Sequence, residues 1–136
     1  MNPNYNCNYT MKQISAILDK IKSCVRNNNF TISQNEHRQD NIDFINEYNV
    51  RSERQSSILL QIQPEDFCHS LQNIKLGFEH ETLYVFVPQV QLFDASGEEK
   101  TVDVYTKFNV IDMPNGCHTV VISFHKRKKS IAYLFR

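Results

Sequence analysis

Two runs of strand-like sequence face each other across Met113-Pro114-Asn115-Gly116-Cys117, and no other stretch restricts the fold as much. In the first, Val102, Val104, Thr106, Phe108 and Val110 alternate with Asp103, Tyr105, Lys107 and Asn109. In the second, Val120, Ile122 and Phe124 alternate with Thr119, Val121, Ser123 and His125. A period of two marks strands with one dry and one wet face. Placing Val104, Phe108 and Val110 on the same side as Val120, Ile122 and Phe124 requires paired residue numbers to have an even sum. A one-residue slip would turn one strand inside out. A bare Asn-Gly turn has the wrong parity. The expected connection is therefore a three-residue loop, Pro114-Asn115-Gly116, with Met113 opposite Cys117 and Gly where φ must be positive. The same register sets Tyr105 opposite His125 and Lys107 opposite Ser123, all four on the face away from the core.

Upstream the period changes. Thr10 and Gln13 read as a capping box for a helix whose apolar stripe is Ile14, Ile17, Leu18, Ile21 and Val25, ended by Asn27-Asn28-Asn29. Phe30–Ile32 reads as a short extended link and residues 34–40 as a polar loop. Asp40 or Asn41 can cap a short helix bearing Ile42, Ile45 and Tyr48, and a further helix is expected from Ser52 to about Leu60. Pro64, followed by Glu65 and Asp66, suggests another helix start, running to about Leu71. Thr82–Val87 is strand-like and can extend to Phe93, and Asp94–Gly97 is a turn. A last strand is expected over Ile131–Phe135. Helices followed by a strand meander predict an α+β fold, with N-terminal helices packed on one face of a C-terminal antiparallel sheet. Residues 1–10, rich in Asn, are expected to be a flexible tail before one domain over 11–136.

The net charge of zero conceals a division. Residues 1–99 hold 8 Lys/Arg against 13 Asp/Glu, a net of −5, and residues 100–136 hold 7 against 2, a net of +5. A basic strand half is the footprint of a phosphate-bearing partner, or else the two halves attract each other. No apolar run is long enough to cross a membrane and none resembles a secretory leader, so a cytoplasmic protein is expected. Cys7, Cys24, Cys68 and Cys117 lack paired spacing, and reduced thiols are the default reading, with a disulfide left open.

His125 and Tyr105 can form an acid/base pair, with Lys107 beside them as a fixed positive charge. The alternative is an ordinary set of amphipathic side chains on a wet sheet face. Lys126-Arg127-Lys128-Lys129 can clamp a nucleic-acid backbone, or can be a solvated turn that discourages edge pairing. Cys68-His69 and Cys117-His118 lack metal-finger spacing, and no Gly-rich phosphate loop is present. No metal and no small-molecule cofactor is expected.

Three segments in order carry a resemblance: Leu59-Leu60-Gln61-Ile62-Gln63-Pro64-Glu65-Asp66-Phe67, Val104-Tyr105-Thr106-Lys107-Phe108, and Val120-Val121-Ile122-Ser123-Phe124-His125. Together they resemble the MqsR-like toxin family of bacterial toxin–antitoxin systems and related prophage proteins, over roughly Met11 to His125. The resemblance implies a RelE/barnase-like fold and metal-independent endoribonuclease activity against messenger RNA, held in check by a separate antitoxin. By position it implies that Tyr105 is the strand tyrosine, Lys107 the lysine of Tyr-x-Lys, and His125 the basic residue ending the late strand. His69 stands where many members have lysine. An aromatic-polar pair of the family is replaced by Leu83-Tyr84, with Tyr84 the candidate RNA contact, and Ile131–Arg136 adds a strand that several members lack. The expected function is an RNA-cleaving toxin using His125, Tyr105, Lys107 and His69, with Lys126 to Lys129 and Tyr84 on the RNA. The alternative is a non-catalytic RelE-like domain that binds a protein or RNA partner.

Overall fold

The first helix forms as the capping box predicts. In the structure, a computed structural model that describes residues 4–136, Gln13 N donates to Thr10 Oγ1 (3.1 Å) and Thr10 N donates to Gln13 Oε1 (2.8 Å). Helix α1 runs over Met11–Arg26 and buries Ile14, Leu18, Ile21, Cys24 and Val25. Asn28, at φ +60°, turns the chain into β1 (Phe30–Ile32). A 3₁₀ turn over 36–38 leads into α2 (Gln39–Glu47), and α3 follows over Glu53–Gln61. The remaining strands are β2 (Phe67–Gln72), β3 (Thr82–Phe86), β4 (Gln89–Phe93), β5 (Glu99–Met113) and β6 (Gly116–Lys126). The result is a mixed α+β fold of three α-helices and a six-stranded sheet in the order β1-β6-β5-β3-β2, with β4 on the leading half of β5.

The sheet is not wholly antiparallel, because β1 is a strand rather than a link and runs parallel to β6. Its faces are divided by the period of two. Tyr84 and Phe86 of β3 join the main core, whereas Val85 and Val87 turn the other way into a smaller cluster with Cys68. Ile14, Leu18, Phe44, Ile45, Ile58 and Leu59 of the helices meet Val104, Phe108, Val121 and Phe124 of the sheet in that main core.

Several further expectations differ from the structure. The helix expected from Pro64 to Leu71 is a single 3₁₀ turn, Pro64–Asp66, followed by β2. Asp66 folds back to accept from Gln63 N (2.8 Å), and Phe67, Cys68, His69 and Ser70 are all buried. Four consecutive buried residues suit a strand covered on both faces, not a helix with one stripe. The strand expected over Ile131–Phe135 is absent. That segment is irregular instead, with Leu134 N donating to Phe67 O (3.0 Å) and Tyr133 Oη to Val87 O (2.7 Å). Of the expected loose tail, residues 1–3 lie outside the described residues. Asn6, however, pairs with Ser70 through two backbone hydrogen bonds, and Tyr9 Oη lies 2.7 Å from Ser70 Oγ. Finally, Cys24 and Cys117 form a disulfide between α1 and the start of β6, so the reduced-thiol default fails for these two, while Cys7 and Cys68 are free. Their separation of 93 residues leaves no trace in local spacing.

The central hairpin keeps its expected register at one end only. Tyr105 pairs with His125 and Lys107 with Ser123, but beyond a bulge Phe108 pairs with Val121 and Met113 with Gly116. The turn is thus the two-residue Pro114-Asn115, closed by Gly116 at φ +131°, a value that favours glycine. Ile122 is the extra residue, and past it Val121 and Thr119 face the core in place of Val120 and Ile122. Asn41 holds this bulge. One of two candidate caps for α2, with Asp40, it is instead buried: its Nδ2 donates to Ile122 O (2.9 Å) and Ser33 O (2.9 Å), and its Oδ1 accepts from Phe124 N (2.8 Å).

Candidate functional site

On the sheet face away from the main core, β5 contributes Tyr105 and Lys107, β6 contributes Ser123 and His125, and β2 contributes His69. They line a pocket of about 280 Å³ together with Tyr5, Arg38, Lys128, Lys129, Ser130 and Ile131. The even register supplies the first four. His69 arrives because β2 is a strand two places away from β5, beyond β3.

The His125 ring lies nearly parallel to that of Tyr105, with centroids 5.4 Å apart. Its Nδ1 is 2.8 Å from the carbonyl oxygen of Lys126. A carbonyl only accepts, so Nδ1 carries the hydrogen and the neutral ring keeps its lone pair on Nε2. Burial pushes the Tyr105 phenol up to about 12, with the neighbouring Tyr5 and Cys68 adding to the effect. Tyr105 therefore stays protonated near neutrality and offers a donor. The Lys107 ammonium is half-buried, and burial, reinforced by the charge of Arg38, lowers its pKa.

His69 is only 4% exposed. Burial, assisted by the Lys107 charge, lowers it to about 4, so at pH 7 it is a neutral imidazole. Its Nε2 is buried without a hydrogen-bond partner among the described residues, and the Tyr5 ring stacks on the imidazole with centroids 3.6 Å apart and 8° between planes. No family model, curated protein or solved structure matches this chain.

The basic run divides. Lys126 is paired with Glu47 (2.8 Å) and lies 5.4 Å from the Tyr48 ring centroid, and Arg127 is paired with Asp103 (3.1 Å). Neither lines the pocket. Lys128 does line it while bridging to Asp40 (2.7 Å), and Lys129 lines it with no ion pair among the described residues. Tyr84 is not at this site. It turns toward the main core beside Tyr9 and lines a separate cavity of about 480 Å³ with Lys20, Glu81 and Asp112. Arg38 and Tyr5 escaped the sequence reading, since one sat in an apparent polar loop and the other in an apparent tail. Nothing in their local sequence marks them. Among the described residues, no group of three His, Cys, Asp or Glu side chains is placed to hold a metal ion, and no helix is long and apolar enough to cross a membrane.

Proposed function

We propose that the chain is a metal-independent endoribonuclease acting at this pocket, in the manner of the MqsR-like toxins, with single-stranded messenger RNA as substrate and an antitoxin protein as its restraint. The helices grouped against one sheet face are read in the same sense as a RelE/barnase-like arrangement. One observation carries the reading. Arg38, Lys107, Lys128 and Lys129 surround two imidazoles and a phenol, and no carboxylate belongs to the lining among the described residues. Arg38 and Lys107, half-buried and repelling each other, and Lys129, with no ion pair among the described residues, favour an anionic guest, and a phosphodiester also supplies the bond on which imidazoles act.

In this mechanism His125 Nε2 takes the proton of a ribose 2′-hydroxyl, and the oxygen attacks the adjacent phosphorus. The bond from phosphorus to the 5′-oxygen breaks, and that oxygen receives a proton from Lys107, a better acid for its lowered pKa. Tyr105 donates a hydrogen bond, and Arg38 and Lys129 stabilise the developing charge on phosphorus. The products are a 2′,3′-cyclic phosphate and a 5′-hydroxyl. His69, neutral at pH 7, holds no proton to give the 5′-oxygen and takes no part in these steps.

Purified protein incubated with mixed RNA in chelator should yield those two ends, and His125→Ala should lower the rate by roughly 10²–10⁴. Stability should change by no more than about 0.5 kcal/mol, because the ring is partly exposed and its hydrogen bond is to its neighbour. Cleavage at the parent rate by His125→Ala would sink the assignment.

A further inference from the structure

Beside the cationic wall lies a group that the chemistry above leaves unused. Among the described residues, His69 is 96% covered, its Nε2 has no hydrogen-bond partner, and the aromatic ring stacked on its face belongs to Tyr5, near the start of the chain. Tyr5 itself is 38% exposed. Its backbone anchor is the Asn6–Ser70 pair of hydrogen bonds one residue away. A flat ring stacked on an imidazole at 3.6 Å, at the edge of a pocket suited to phosphate, occupies the volume and orientation of a nucleobase.

We infer that His69 is the floor of a nucleobase subsite, and that Tyr5 is a built-in occupant which the base of a bound single-stranded RNA displaces. This inference rests on the reading of the pocket as an RNA site and specifies how that site takes a base. Exchange of one stack for another costs little. The strap over residues 4–6 thus competes with substrate and lowers apparent affinity until displaced.

The test uses binding alone, so it does not depend on cleavage. Two short 2′-O-methyl oligonucleotides, which cannot be cleaved, are titrated into the full chain: one fully base-bearing, the other abasic at a central position. The parent should bind the base-bearing oligomer more tightly. Tyr5→Ala should tighten that binding by roughly three- to tenfold, the span of one aromatic stack, and leave the abasic oligomer unchanged. Tyr5→Phe, which keeps the ring, should match the parent. Thermal unfolding confirms that each variant is folded. If Tyr5→Ala weakens base-bearing RNA, Tyr5 is a wall of the site and not an occupant. If the two oligomers bind alike and ignore Tyr5, no base subsite exists although the anion pocket stands. If neither binds, the RNA reading itself fails and takes the subsite with it.

Discussion

His69 shows what burial does to a side chain that the sequence presents only as a candidate site residue. The unfolded imidazole takes its proton near pH 6.5, and the folded one resists it down to about 4. Between those values the unfolded chain binds the extra proton, so this group's contribution is complete above about pH 6.5 and lost as pH falls toward 4. The full loss is up to about 3 kcal/mol, at 1.36 kcal/mol per pKa unit. Urea unfolding at a series of pH values should show that slope in the parent and a flatter one in His69→Gln. Comparing the two removes the contribution of every other titrating group, and parallel curves would show that His69 is not the source. The sequence offered His69 as a site residue through its neighbours and the resemblance. It could not offer the burial, because that depends on β2 being a strand covered on both faces, where Pro64 and two acids suggested a helix.

At the scale of elements, the hairpin was half legible. Strict alternation over Val102–Val110 and from Ser123 onward set Tyr105 opposite His125, and the strands pair that way. Val120-Val121-Ile122 is apolar at three successive positions, so alternation there cannot say which residues face inward. The bulge at Ile122 resolves this by giving Val121 to the core and returning Ser123 and His125 to the pocket face. A bulge leaves backbone groups outside the ladder, and here a side chain 81 residues away supplies their partners. Such long-range pairing has no local signature, which is why Asn41 reads as a helix cap. Asn41→Ala should orphan Ile122 O, Phe124 N and Ser33 O. At about 1–3 kcal/mol for each buried group left unpaired, with some relieved by water, the chain should lose at least about 2 kcal/mol. Chemical denaturation measures it, and a loss below about 0.5 kcal/mol would mean that the bulge is held by the sheet alone. The same variant should slow RNA cleavage beyond what instability explains, because His125 follows the bulge by three residues.

For the molecule as a whole, part of the divided charge is used within the fold. Four ion pairs join the acidic leading part to the basic strand part: Lys20–Asp112, Lys126–Glu47, Lys128–Asp40 and Arg136–Asp66. Arg127 is satisfied by Asp103, so much of the Lys126–Lys129 run is engaged within the fold. Arg38, Lys107 and Lys129, which line the pocket, have no ion pair among the described residues. A uniform basic clamp and a local anion pocket differ in salt dependence, because only a cation that meets a phosphate releases a counter-ion from it. Binding of an uncleavable RNA, titrated at several salt concentrations, should therefore sort the basic residues. Arg38→Ala and Lys129→Ala should each weaken binding and reduce the slope of log affinity against log salt by about 1. Lys126→Ala and Arg127→Ala should leave the slope close to that of the parent, since Glu47 and Asp103 already occupy those charges. Lys128→Ala should fall between, as its ammonium must leave Asp40 before it reaches a phosphate. Equal losses from all five would restore the continuous clamp and move the RNA path off the pocket, onto the β6 end and the segment that follows it.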